Sequence, residues 1–156
     1  VRRFGIASLV AAGLLVAGCS APQPPEVTFF AAGKTVRLSP YSLCKGEMTG
    51  ACPQTPQAQG QLKVPGGKPL NISVPSEVAD APWVVVYTYR GSDGTEKPDR
   101  SPIFRAGESY AFTLNLPTAG DQLTQVEVQR ITAIAPGGEQ QMVFIADATW
   151  ALQVTS

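Results

Sequence analysis

The feature that most limits what this chain can fold into is the period of its apolar residues, which is two rather than 3.6. Leu70, Ile72 and Val74 alternate with Asn71 and Ser73. Tyr110, Phe112, Leu114 and Leu116 alternate with Ala111, Thr113 and Asn115. Met142, Phe144, Ala146, Ala148, Trp150, Leu152 and Val154 keep one phase across residues 142–154, with Asp147, Thr149 and Gln153 on the other. Successive side chains of a strand point to opposite faces, so this alternation describes half-buried strands. Residues 83–89 (Trp-Val-Val-Val-Tyr-Thr-Tyr) are apolar in both phases, as in a central strand covered on both sides. Val126 and Val128 share a phase, Ile131 and Ala133 take the other, and a bulge near Arg130 reconciles them.

Turn residues punctuate these runs at Pro65-Gly66-Gly67, at 91–94, at Ala106-Gly107, at Ala119-Gly120-Asp121 and at Pro136-Gly137-Gly138. No stretch carries a helical stripe of useful length. The expected fold is therefore all-β: an immunoglobulin-like, two-layer antiparallel sandwich of about seven to nine strands. Residues 54–61 (Gln-Thr-Pro-Gln-Ala-Gln-Gly-Gln) are polar and uncharged and read as a surface loop.

The first nineteen residues have a different character. Arg2 and Arg3 precede an uncharged, mostly apolar stretch over 4–17, followed by Val16-Ala17-Gly18-Cys19. The stretch is shorter than the ~20 residues needed to span a bilayer and matches the apolar part of an export signal. Val16-Ala17-Gly18-Cys19 resembles the lipobox of bacterial lipoproteins. That resemblance implies cleavage before Cys19 and a diacylglyceryl group on its thiol. Two buried acyl chains, at ~0.8 kcal/mol per methylene, anchor a protein stably without a transmembrane segment. The expected organisation is thus a signal peptide at 1–18, a lipidated cysteine and Pro-rich tether at 19–26, and a β domain at 27–156. The expected location is the extracytoplasmic face of the cell membrane.

Over its whole length the chain also resembles a group of uncharacterised actinobacterial lipoproteins. The lipobox, the close cysteine pair and the strand Pro82-Trp83-Val84-Val85-Val86-Tyr87-Thr88-Tyr89 carry this likeness. It brings no activity with it.

The remaining cysteines, Cys44 and Cys52, form an even pair in an exported chain, where oxidation to a disulfide is the expected state. Loss of Arg2 and Arg3 with the signal leaves the mature chain with two more acidic than basic residues. Such a surface gives no electrostatic reason to bind nucleic acid or anionic lipid. The tether of Ser20-Ala21-Pro22-Gln23-Pro24-Pro25-Glu26 reaches about 20 Å when extended, so the domain works close to its membrane.

The inventory for catalysis is thin. The chain has no histidine, which removes Ser-His-Asp and Cys-His sites and most catalytic zinc arrangements. Lys34, Lys45, Lys63, Lys68 and Lys97 sit beside Gly, Pro, Cys or charged turns, where solvent exposure is expected. Glu77 with Asp80, and Glu127 with Asp147, are the carboxylate pairs that glycoside hydrolysis would need; both read as surface charge. Asp93, Glu96 and Asp99 share one loop, but without calcium-loop spacing and with Lys97 and Arg100 among them. Phe29, Phe30, Trp83, Tyr87, Tyr89, Phe112 and Trp150 read as core rather than as a ligand pocket.

The expectation is a non-enzymatic binding or accessory module for an envelope protein or complex, with no cofactor and no metal. A carrier holding an envelope lipid or lipoglycan between the sheets is the alternative. Val143 and Ile145, on the polar phase of the last strand, are the candidate interaction surface.

Overall fold

The computed structural model describes residues 23–45, 50–136 and 142–156. Ten strands occupy these residues: β1 (Val27–Ala31), β2 (Lys34–Leu38), β3 (Ser42–Leu43), β4 (Gly60–Lys63), β5 (Leu70–Ser73), β6 (Trp83–Arg90), β7 (Glu96–Arg100), β8 (Ala111–Leu114), β9 (Gln122–Pro136) and β10 (Met142–Thr155). One helical turn, α1 (Ser76–Ala79), links β5 to β6, and a 3-10 turn spans Pro56–Ala58. The chain is all-β and forms two sheets. One has the order β2-β1-β5-β8; the other has the order β3-β10-β9-β6-β7, with β4 also pairing with β10. Every pair is antiparallel except β4 with β10.

The period of two explains the core. Val27, Phe29, Leu70, Ile72 and Leu114 from the first sheet meet Trp83, Val85, Val126, Val128, Trp150 and Leu152 from the second in one buried cluster. Both buried indoles are satisfied: Trp83 Nε1 donates to Ser109 O at 3.1 Å and Trp150 Nε1 to Pro25 O at 2.9 Å. The second bond is a departure from a free tether, since Pro25 lies against the domain.

Several expectations change. The run over 83–89 is not the middle strand of its sheet; β9 is, and β6 lies between β9 and the edge strand β7. Its apolar character in both phases belongs to its first half, where Trp83, Val84 and Val85 are buried. There the segment after β7 covers its edge through reciprocal bonds between Trp83 and Phe104 and between Val85 N and Ser101 Oγ. The polar stretch over 54–61 is not all loop, since Gly60 and Gln61 open β4. A Cβ at Gly60 would collide with the Leu38 side chain, which would have to shift to admit any other residue there.

The start of β10 also leaves the core. The β9–β10 ladder shifts register at Ile145/Ala146 and at Ala146/Ala148, around the expected bulge position. Ala148, Trp150, Leu152 and Val154 remain in the core, but Phe144 beyond the shift is only half-buried. The shifts skip Thr132 in β9 and Asp147 in β10, one extra residue in each strand, so the pairing beyond them returns to its earlier register.

Candidate functional site

Beyond that register shift, β9 and β10 leave the body of the sheet as a two-stranded arm. β6 stops pairing with β9 at Arg130, and β3 reaches β10 only at Ala148 and Thr149. From Ala133 to Pro136 and from Met142 to Ile145 the two strands pair only with each other. Directly opposed residues of a ladder share a face. Val143 pairs with Ala135 and Ile145 with Ala133, making one face; Phe144 pairs with Ile134 on the other.

The arm is apolar and stays exposed. Ile134 is 48% exposed, Val143 51% and Ile145 38%, which makes them three of the five large exposed hydrophobic residues among those described. The others, Phe30 and Tyr110, lie on strands or loops of the first sheet. Residues 132–136 and 142–146 include no charged side chain. Sequence reasoning named Val143 and Ile145 but missed Ile134 and Phe144, because it carried the inward phase of β10 unbroken to Met142. The run Ile131-Thr132-Ala133-Ile134-Ala135-Pro136, set against Met142-Val143-Phe144-Ile145-Ala146 across a Gly-Gly connection, was the available signal.

Two devices hold the base of the arm. Arg130 donates through Nε and Nη2 to both oxygens of Asp147 at 2.8 and 2.7 Å, and through Nη1 to Glu77 O at 2.9 Å. Asp147, beside the register shift, is thereby tied to the turn before β6, and its carboxylate holds the Arg130 guanidinium above its ordinary pKa. On the outer edge of β10, Cys44 and Cys52 are joined by a disulfide. Cys52 Sγ lies 3.6 Å from Ala146 O, and Cys44 N donates to Asp147 O at 2.8 Å. Residues 46–49 of that loop lie outside the described residues. An open cleft of about 700 Å³ adjoins the disulfide, lined by Pro24, Leu43, Cys44, Lys45 and Pro53 among others.

The residues considered for chemistry are dispersed. Glu127 accepts from the side chains of Gln125 and Gln129 at 2.9 and 3.0 Å, while Asp147 is engaged by Arg130. Glu77 accepts from Ser76 Oγ at 3.0 Å, and a backbone hydrogen bond, helped by this one, holds its carboxyl below the ordinary value. Asp93 is used within its own turn: it accepts from Thr95 and pairs with Lys97 at 3.1 Å, and the Thr95 bonds bring its pKa down to about 2. Asp99 accepts from Tyr87 Oη at 3.0 Å, and Glu96 faces Arg90 at 3.6 Å. Among the described residues no three His, Cys, Asp or Glu side chains come together as a metal site.

Ser42-Leu43-Cys44-Lys45 has Ser-x-x-Lys spacing, a pattern the sequence reading overlooked. That spacing gathers a serine and a lysine on one helical face, whereas Ser42 here sits in β3 and Lys45 lies beyond the end of that strand, with no helix joining them. Of the aromatics, Phe29, Trp83, Tyr87 and Trp150 are buried as expected, and Phe30 is not.

Cys19 and the signal-like segment lie outside the described residues. Among the described residues no helix is long and apolar enough to cross a membrane.

The chain matches the family described as a protein of unknown function (DUF2771) over residues 20–155. It is 35% identical over 134 residues to the uncharacterized proteins Rv0875c of Mycobacterium tuberculosis and Mb0899c of Mycobacterium bovis, covering 84% of this chain and 78% of each relative. No solved structure matches it. An all-β chain of two sheets with a projecting β9–β10 arm, it belongs to the DUF2771 family.

Proposed function

We propose that the protein is a lipoprotein anchored through Cys19 to the extracytoplasmic face of the cell membrane. It acts there as a non-enzymatic binding or accessory module for an envelope protein or complex. The observation that carries this reading is the β9–β10 arm, with an apolar face of Ala133, Ala135, Val143 and Ile145 left in water by the domain itself. Exposed apolar surface of this kind marks an interaction site in a soluble domain. The base of the arm is also braced, by Arg130 on Asp147 and by the Cys44–Cys52 disulfide. The dispersal of the carboxylates and the absence of histidine leave contact as the better-supported role than catalysis.

The two sheets are read as an immunoglobulin-like sandwich, a likeness of architecture that carries no function. The carrier alternative has less support, because Trp83, Trp150, Phe29, Leu70 and Ile72 fill the space between the sheets.

The test is a mild-detergent pull-down from native membranes, comparing the wild type with Val143→Thr/Ile145→Thr. Mass spectrometry should show a defined protein set retained by the wild type and lost by the folded variant. An unchanged set would refute contact through this face.

A further inference from the structure

The arm has a second face, which the partner contact above leaves unused. It carries Ile134 opposite Phe144, and the Phe144 ring lies 5.7 Å from the Arg100 guanidinium. Arg100 is exposed at the end of β7 and is fixed by a bond from its Nη1 to Ser101 O at 3.2 Å. Apolar side chains beside an arginine guanidinium are the combination found at membrane interfaces, with apolar groups at the acyl boundary and the cation at phosphate level.

The exit of the chain points the same way. Val27 pairs with Leu38, which packs at Gly60, the partner of Leu152. Going backwards, Pro25 meets Trp150, and Pro24 lines the cleft with Leu43 and Cys44, next to Ala148 and Asp147. The N-terminal segment therefore runs along β10 toward the base of the arm. Four residue steps separate Gln23 from Cys19, at most about 14 Å of chain. The four paired residues of each arm strand, at ~3.3 Å each, extend about 13 Å beyond that base. A tether of about the arm's own length keeps the arm within reach of the lipid.

We propose that the Ile134–Phe144–Arg100 face is a second membrane contact, seated in the phospholipid interface, that holds the domain arm-down on the bilayer. This rests on the anchoring at Cys19 proposed above. The contact is chiefly apolar, so it depends little on anionic lipid.

The experiment uses the full lipidated protein in phosphatidylcholine vesicles, with and without phosphatidylglycerol. A fluorophore is attached at Ile134→Cys, with Phe30→Cys on the first sheet as the reference. Near-UV circular dichroism checks the fold, and Pro136→Cys serves as a second arm position if the first variant misfolds. Nitroxide-labelled lipid should quench the arm probe at least about threefold more than the reference, with or without the anionic lipid. Equal quenching on protein that floats with the vesicles overturns the arm contact and leaves the anchor standing. Folded protein that does not float overturns the anchor, and this inference with it. Protection of the arm in native membranes but not in pure vesicles assigns the face to a protein and overturns the lipid contact.

Discussion

Replacing Val143 and Ile145 together with threonine should leave the domain folded, and the structure sets the size of the effect. Val143 is 51% exposed and Ile145 38% exposed, so each keeps a large part of its surface in water. Full burial of such a side chain contributes about 1.5–3 kcal/mol, and threonine retains part of the packed surface. Threonine also preserves the β-branched preference for strand geometry. The double variant should therefore lose no more than about 1.5 kcal/mol, a downward shift in urea midpoint of at most about 1 M at an unchanged slope. Ile72, fully buried in β5, provides the contrast. Ile72→Thr removes a core methyl and buries a hydroxyl, and should cost about 3 kcal/mol. A loss above 3 kcal/mol in the arm variant would show that these residues are packed like Ile72 and that the proposed contact face does not exist.

Replacing Cys44 and Cys52 together with serine should cost about 2.5 kcal/mol, the loop-closure entropy of so short a ring; equal urea midpoints for variant and wild type would contradict this. Arg130→Met strips Asp147 and Glu77 O of their donor and should destabilise by about 2 kcal/mol. Asp147→Asn added to that variant should recover part of the loss, and melting of the three proteins checks both statements. Tyr87 is pushed up to about 12 from 10.0, first by burial and then by the Asp99 carboxylate. Because the fold favours its neutral form, that stability is intact below pH 10 and is lost as pH rises toward about 12. Tyr87→Phe should flatten the alkaline fall in melting temperature; an unaltered fall would refute the assignment.

Much of the second sheet was legible because alternation is a local signal. Val126, Val128, Trp150 and Leu152 announce their faces within a few residues and keep them in the fold. The β1–β2 hairpin was hidden for the opposite reason. Its two-residue turn places both Ala32 and Gly33 at positive φ, 48° and 77°, and alanine is not a residue that advertises a left-handed position. β7 was hidden by composition, since all five of its residues are exposed and one is Pro98, which an edge strand tolerates.

The arm lay between these cases. Its strands were visible, but its exposure depends on where β6 and β3 stop, and that is set by partners distant in sequence. The brace from Arg130 to Asp147 and Glu77 was likewise unreadable, because it joins three segments through a register shift. Cys44 and Cys52 were found from spacing and number alone. Their location against β10, which makes them part of the base of the arm, came only with the fold.

The anchoring on which the functional reading depends is tested most directly by Cys19→Ala, expressed beside the wild type and followed by membrane fractionation and intact mass. The account predicts a wild-type protein that begins at Cys19, carries a diacylglyceryl group and stays with the membrane. It predicts a variant that is unlipidated and found uncleaved or in the soluble fraction. Normal cleavage and tight membrane attachment of the variant would contradict it.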